Sequence, residues 1–123
     1  MISITINLVP ITKKNHQQII RVNGRPKVIQ SKQYKQFEKA CEEWLRPYSY
    51  LNIDYPVNLS CRYYMPTRRR VDLVNLAEAT CDILVKYGVL KDDNSNIVAS
   101  MDGSRVFYDK ENPRTCIDIT PLG

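Results

Sequence analysis

Residues 57–87 constrain the fold of this chain more than any other stretch. Val57, Leu59, Cys61, Tyr63 and Met65 alternate with Asn58, Ser60, Arg62 and Tyr64, the period-two pattern of a strand with one buried face. Pro66 closes that strand, and Arg68-Arg69-Arg70 lead directly to Asp72. From Asp72 to Tyr87 the period changes. At about 100° per residue, Leu73, Leu76, Thr80, Ile83, Leu84 and Tyr87 fall on one helical face, and Asn75, Glu78, Asp82 and Lys86 on the opposite one. Gly88 suits the position just past a helix end. A half-buried strand and an amphipathic helix joined by a short basic link must share one core.

The remaining segments supply the other walls of that core. Ile2, Ile4, Ile6 and Leu8 alternate with polar residues and predict a strand ending near Pro10. Ile19 to Ile29 reads as a hairpin, with Asn23-Gly24 as the favoured type I′ turn pair and Pro26 marking an edge strand. Ser31 is placed to cap a helix carrying Tyr34, Phe37, Cys41, Trp44 and Leu45 at helical spacing, stopped by Pro47. Short strands are expected at Ile97–Met101, around Val106-Phe107-Tyr108 and at Cys116–Thr120, with turns at Asp102-Gly103 and Asn112-Pro113. The sum is an α+β fold in one domain over residues 1–123: a small mixed or antiparallel sheet with two main helices packed on it.

Composition narrows the function classes. A net charge of +5 favours a polyanionic partner, and the cations crowd residues 13–39 and 68–70. Cys41, Cys61, Cys81 and Cys116 form no C-x-x-C pair and sit within apolar patterns, which predicts reduced, buried thiols. A single histidine, His16, argues against a His-ligated zinc site. No membrane-length apolar run, signal peptide or Gly-rich phosphate loop is present. The expectation is a cytoplasmic protein with no membrane partner and no small-molecule organic cofactor.

Two groups of residues could carry chemistry. Arg68, Arg69 and Arg70, with Lys13, Lys14 and Asn15 in an early polar loop, suit phosphate oxygens. Asp72, Glu78, Asp82 and the Asp92-Asp93 pair offer oxygen ligands for a hard divalent cation. Arginines and clustered carboxylates in one short span point to phosphodiester hydrolysis, where such a cation acidifies water and relieves charge on phosphorus. Each residue also has a plain structural reading. Asp72 is a good N-cap, Glu78 and Asp82 are ordinary exposed helix acids, and Asp92-Asp93-Asn94 is turn chemistry. A helix of about 15 residues, roughly 22 Å long, separates Asp72 from Asp92 and Asp93. Their meeting therefore requires a chain reversal or a second subunit.

Arg-Arg-Arg-Val-Asp-Leu-Val-Asn-Leu at 68–76, Cys81-Asp82-Ile83-Leu84, Gly88-Val89-Leu90 and Asp92-Asp93 together resemble the RusA family of Holliday junction resolvases, crossover junction endodeoxyribonucleases of bacteria and their prophages. The likeness spans the whole chain and is most specific at residues 66–93. It implies a homodimeric enzyme using Mg²⁺ or Mn²⁺ to nick branched DNA symmetrically during recombination and repair. It implies that Asp72 is the first catalytic aspartate, that Asp92 and Asp93 are the family's aspartate pair with Asp93 the favoured metal ligand and Asp92 a candidate, and that Asn75 and Asp82 occupy motif positions, Asn75 on the DNA side. Two positions depart from the family's best-known form. Val74 stands where a second aspartate is expected, and Glu78 stands where a lysine is expected. Glu78 is accordingly a candidate replacement carboxylate, with Asp82 assisting. The alternative reading is a junction-binding protein that has lost part of its carboxylate site and does not cut.

Overall fold

The computed structural model describes residues 1–13 and 17–123, so Lys14, Asn15 and His16 lie outside the described residues. The strand expected at 57–65 is β4, Val57–Met65, and it is the central element. The others in chain order are β1 (Ile2–Ile6), β2 (Gln17–Val22), β3 (Arg25–Gln30), α1 (Lys32–Leu45), α2 (Leu73–Lys86), β5 (Val98–Ser100), β6 (Arg105–Tyr108) and β7 (Arg114–Pro121). A single 3₁₀ turn, Arg46–Tyr48, carries the chain out of α1 through Pro47.

One edge of β4 pairs antiparallel with β7, which pairs antiparallel with β1. The other edge receives β5 and then β6, both parallel to β4. The parallel pairing follows from α2, which carries the chain back across the sheet before β5 begins. The sheet is therefore mixed, and the fold is α+β as expected. The last strand lies inside the sheet, between β1 and β4, rather than at its margin. β2 and β3 form a separate two-stranded ribbon.

Alternation sorts the sheet into two faces. Ile4, Ile6, Val57, Leu59, Cys61, Tyr63, Ile117 and Ile119 are buried, and the residues between them are exposed or half-buried. The buried face packs with Tyr34, Cys41 and Leu45 of α1 and with Leu76, Ala79, Ile83 and Leu84 of α2. Ser31 caps α1 as expected, its hydroxyl accepting from Tyr34 N at 3.1 Å. Arg62 and Ser3, on the opposite face, both bond Asp118.

Two polar features tie α2 in place. Tyr63 is fully buried, and its hydroxyl lies 2.7 Å from Thr80 Oγ1, which itself donates to Leu76 O at 2.9 Å. The only proton left for the first contact is the tyrosine's, so Tyr63 donates to Thr80. At the other end Gly88 takes φ +79°, and a Cβ there would lie 3.0 Å from Ser49 O. Both Val89 N and Leu90 N donate to Leu84 O, which turns the chain back along the helix. Leu90 then pairs with Ile53 in an isolated parallel bridge.

The Tyr63–Thr80 bond predicts an asymmetry between two substitutions. Tyr63→Phe removes one buried hydrogen bond and leaves Thr80 donating to Leu76, a loss of about 1 kcal/mol. Thr80→Val strands the buried Tyr63 hydroxyl and costs about 1–3 kcal/mol. Urea unfolding of the two variants checks the order; equal losses would show that the hydroxyl finds another partner.

Candidate functional site

The link between β4 and α2 is exposed from Thr67 to Arg70, and its conformation is set at both ends. Thr67 Oγ1 accepts from Arg69 N at 3.4 Å. Asp72 ends the link as the N-cap of α2, with extended backbone (φ −90°, ψ 113°) and a carboxylate oxygen accepting from Val74 N at 3.0 Å. That bond satisfies one of the four amides a helix start leaves free and places a negative charge at the positive end of the helix dipole.

Two adjoining depressions flank this link. Arg69 and Arg70 line the first, with Pro10, Ile11, Thr12, Met65, Thr67 and Val71. Arg70, Val71, Asp72 and Asn75 line the second. Arg70 and Val71 belong to both, so two of the three arginines, Asp72 and Asn75 share one continuous surface. Arg68 points elsewhere. Its guanidinium lies over the ring of Tyr108 on β6, 4.2 Å from the centroid, a cation–π contact that holds a long side chain in one place. Nothing in the sequence marks Tyr108 as a partner of Arg68, because the pair forms only when β6 docks beside β4. A second column stands nearby: Arg114 lies 3.8 Å over Tyr64, which stacks on Phe107 at 5.0 Å.

The acids divide into three environments. Asp72 is exposed beside Arg70 and Asn75. Glu78 and Asp82 lie one turn apart on α2, and their charges, after burial and Glu38, help to raise the pKa of the buried Tyr34 phenol. Asp82 is half-buried and forms an ion pair with Lys13, so the lysine assigned to phosphate bonds a carboxylate in this structure. Glu78 is exposed and makes no ion pair or side-chain hydrogen bond among the described residues. Asp92 and Asp93 follow the reversal after α2. Asp92 uses both oxygens locally, Oδ1 accepting from Asp93 N at 2.7 Å and Oδ2 from Asn94 Nδ2 at 3.0 Å. The Asp93 amide first, and then Asn94, hold the Asp92 carboxyl below the usual carboxylate range.

Asp93 donates its amide to Asp92, and its side chain is also among the groups that lower the Asp92 carboxyl. Its charge is felt at Cys81: burial first, then Asp93 and Asp82, push that thiol up to about 12. Asp93 thus lies within electrostatic reach of Cys81 on α2. Among the described residues of a single chain, no three His, Cys, Asp or Glu side chains form a metal-binding group. Cys41, Cys61 and Cys81 are buried free thiols and Cys116 is half-buried. Burial raises Cys41 and Cys61 to about 12 as well, so these thiols are poor nucleophiles and metal ligands.

A family model, Endodeoxyribonuclease RusA, matches residues 7–120 of the 123. The chain belongs to the RusA endodeoxyribonuclease family. No individual curated protein matches it. Membership implies an endodeoxyribonuclease, and a four-way DNA junction is the substrate class the family implies. No helix among the described residues is long and apolar enough to cross a membrane.

If Tyr108 holds Arg68 for use on DNA, Tyr108→Ala lowers DNA affinity about 2- to 5-fold, the size of an exposed cation–π contact of roughly 0.5–1 kcal/mol. Tyr108→Phe, which keeps the ring face, leaves affinity unchanged. Fluorescence anisotropy on a labelled junction reads both; equal losses would assign the effect to the phenol oxygen.

Proposed function

We propose that this RusA-family protein resolves four-way DNA junctions as a divalent-metal-dependent homodimer, each subunit nicking one of two opposed strands, in recombination and repair within the cytoplasm. The observation that carries this reading is the continuous surface on which Asp72 adjoins Arg69, Arg70 and Asn75. A phosphodiester laid across the arginines would sit beside a carboxylate at a helix N-terminus, where free amides and the helix dipole also favour anions.

The donor set fits a hard cation such as Mg²⁺ or Mn²⁺. Asp72 has one oxygen beyond its capping bond, Asp93 offers a second carboxylate, and Mg²⁺ needs only one or two protein carboxylates besides water and substrate oxygens. Asp72 and Asp93 would hold the ion; Glu78, unpaired among the described residues, is the carboxylate we assign in place of the one missing at Val74, with Asp82 and Asp92 behind it. When bound, a divalent cation lowers the pKa of attacking water and offsets charge developing on the phosphate. The arginines, with Lys13, Lys14 and Asn15, bind and orient phosphates, and Asn75 steadies the DNA at the rim. A two-fold dimer matches the symmetry of a four-way junction and gives a second chain the opportunity to complete the carboxylate set.

A second reading, binding without cutting, is favoured by one observation: no three potential ligands converge within one chain among the described residues. Incubating the protein with a synthetic four-way junction and Mg²⁺ decides between them. The nuclease reading expects paired nicks; binding with no nicks under Mg²⁺ or Mn²⁺ supports the second.

Asp72→Asn separates capping from chemistry. Asparagine caps a helix about as well as aspartate, so stability stays within about 0.5 kcal/mol while cleavage falls roughly 100-fold or more, about 2.7 kcal/mol of barrier. Val74 is 71% exposed, so Val74→Asp needs no repacking. It should stabilise α2 by about 0.3–1 kcal/mol through the helix dipole and raise cleavage roughly tenfold, about 1.4 kcal/mol. Single-turnover rates and thermal unfolding measure both. An Asp72→Asn protein that cuts normally would move the metal site elsewhere.

A further inference from the structure

The β2–β3 ribbon has no role in the site just described. It pairs with no strand of the main sheet, and it leaves apolar side chains in water: Ile19 is 74% exposed, Val22 45% and Ile20 38%. Two strands standing alone are marginally stable, so a ribbon of this kind calls for a covering partner. Its charge indicates which. The first acidic residue of the sequence is Glu38, and seven cations precede it: Lys13, Lys14, Arg21, Arg25, Lys27, Lys32 and Lys35. Arg21, Arg25 and Lys27 belong to the ribbon and are exposed.

The register divides these groups between both faces. Ile20 stands opposite Lys27 and Val22 opposite Arg25, whereas Arg21 stands opposite Pro26. Directly opposed residues share a face and neighbours along a strand alternate. Ile19 and Arg21 therefore lie on one face, and Ile20, Val22, Arg25 and Lys27 on the other. A surface made for a protein partner would gather its apolar residues on one face and leave its charges on the other. Cations on both faces suit a slot with two negative walls. The DNA major groove, about 12 Å wide, admits a two-stranded ribbon between two rows of phosphates. The Asn23-Gly24 turn, with φ +53° and +76°, keeps the tip to two residues, narrow enough to enter.

We propose that the β2–β3 ribbon is a DNA-holding arm that enters the major groove of a duplex limb of the branched substrate, Arg21 binding phosphates along one wall and Arg25 and Lys27 along the other. The proposal rests on the nuclease reading but concerns binding alone, so its test is independent of cleavage. Its contacts are to phosphates, and the arm therefore holds DNA without sequence preference.

The test measures affinity for a four-way junction and for a plain duplex, in EDTA to prevent cutting, from 50 to 250 mM salt. Wild type is compared with Arg21→Gln/Arg25→Gln/Lys27→Gln and with the charge-preserving Arg21→Lys/Arg25→Lys. Each phosphate contact contributes about 0.9 to the slope of log affinity against log salt. The triple variant should lose about 2 to 3 from that slope and roughly 100-fold in affinity near 0.15 M salt, equally across DNA sequences, while the lysine variant keeps the wild-type slope. A triple variant with the wild-type slope and affinity overturns the arm and leaves the nuclease reading standing. A smaller molecular mass for the triple variant, at an unchanged slope, also overturns it and makes the ribbon a contact between copies. Wild-type protein with no salt-dependent DNA binding overturns both readings.

Discussion

β4 is the element on which the arrangement depends. It pairs along both edges, with β7 on one side and β5 and β6 on the other. Val57, Leu59, Cys61 and Tyr63 on its buried face are at most 1% exposed. Slipping the strand by one residue would exchange those four for Asn58, Ser60, Arg62 and Tyr64 and turn polar groups into the core. The register is fixed by that penalty. Because Met65 is the last residue of β4, fixing the register also fixes where the arginine link begins. The Tyr63–Thr80 bond carries the constraint onto α2, so the strand and the helix that flank the link are held in one relation. An exposed loop between two immobilised ends is a suitable place for charged side chains that must meet a substrate.

The sequence made that part of the fold legible because its signals are local and agree with one another. Alternation over 57–65, Ser31 and Asp72 as caps, Asn23-Gly24 as a tight turn and Gly88 after α2 each specify a conformation within a few residues, and each appears in the structure. Pairings between distant segments left no such trace. The place of β7 between β1 and β4, the Ile53–Leu90 bridge and the Arg68–Tyr108 contact all depend on which strands become neighbours. The site divides in the same way. The nearness of Asp72 to Arg70 and Asn75 follows from short separation along the chain. That Lys13 pairs with Asp82, or that Asp92 spends both oxygens on its own turn, depends on loop geometry that residue type alone does not reveal.

The reversal after α2 bears on the geometric objection that the sequence raised. A straight exit would have left Asp93 a full helix length from Asp72. The left-handed backbone at Gly88 and the two amides bonded to Leu84 O send the chain back, and the charge of Asp93 reaches Cys81. Asp92 and Asp93 are adjacent, but the turn separates their roles. The Asp92 carboxylate stabilises the turn by accepting from its own neighbours on both oxygens, and the Asp93 carboxylate accepts from no amide of that turn among the described residues. That difference favours Asp93 over Asp92 as a ligand in the proposed metal site.

The two departures at α2 redistribute charge without changing its kind. A carboxylate at position 74 would lie in the first turn, where the free amides and the dipole favour it. Glu78 lies in the next turn, where that field has fallen away, and shares the stripe of Asp82. Relative to an aspartate at 74 with a lysine at 78, the exposed face of α2 is more negative by one charge, and the negative charge sits further from the helix start. A cation held by Asp72, as proposed, would meet one fewer carboxylate in the first turn, a shortage that Asp93, Glu78 or a second chain would have to make up. The same displacement removes a positive group that could have bound phosphate near the site. It leaves Arg69 and Arg70 as the cations sharing the Asp72 surface among the described residues, so on the proposed reading phosphate positioning there would fall more heavily on the link than on the helix.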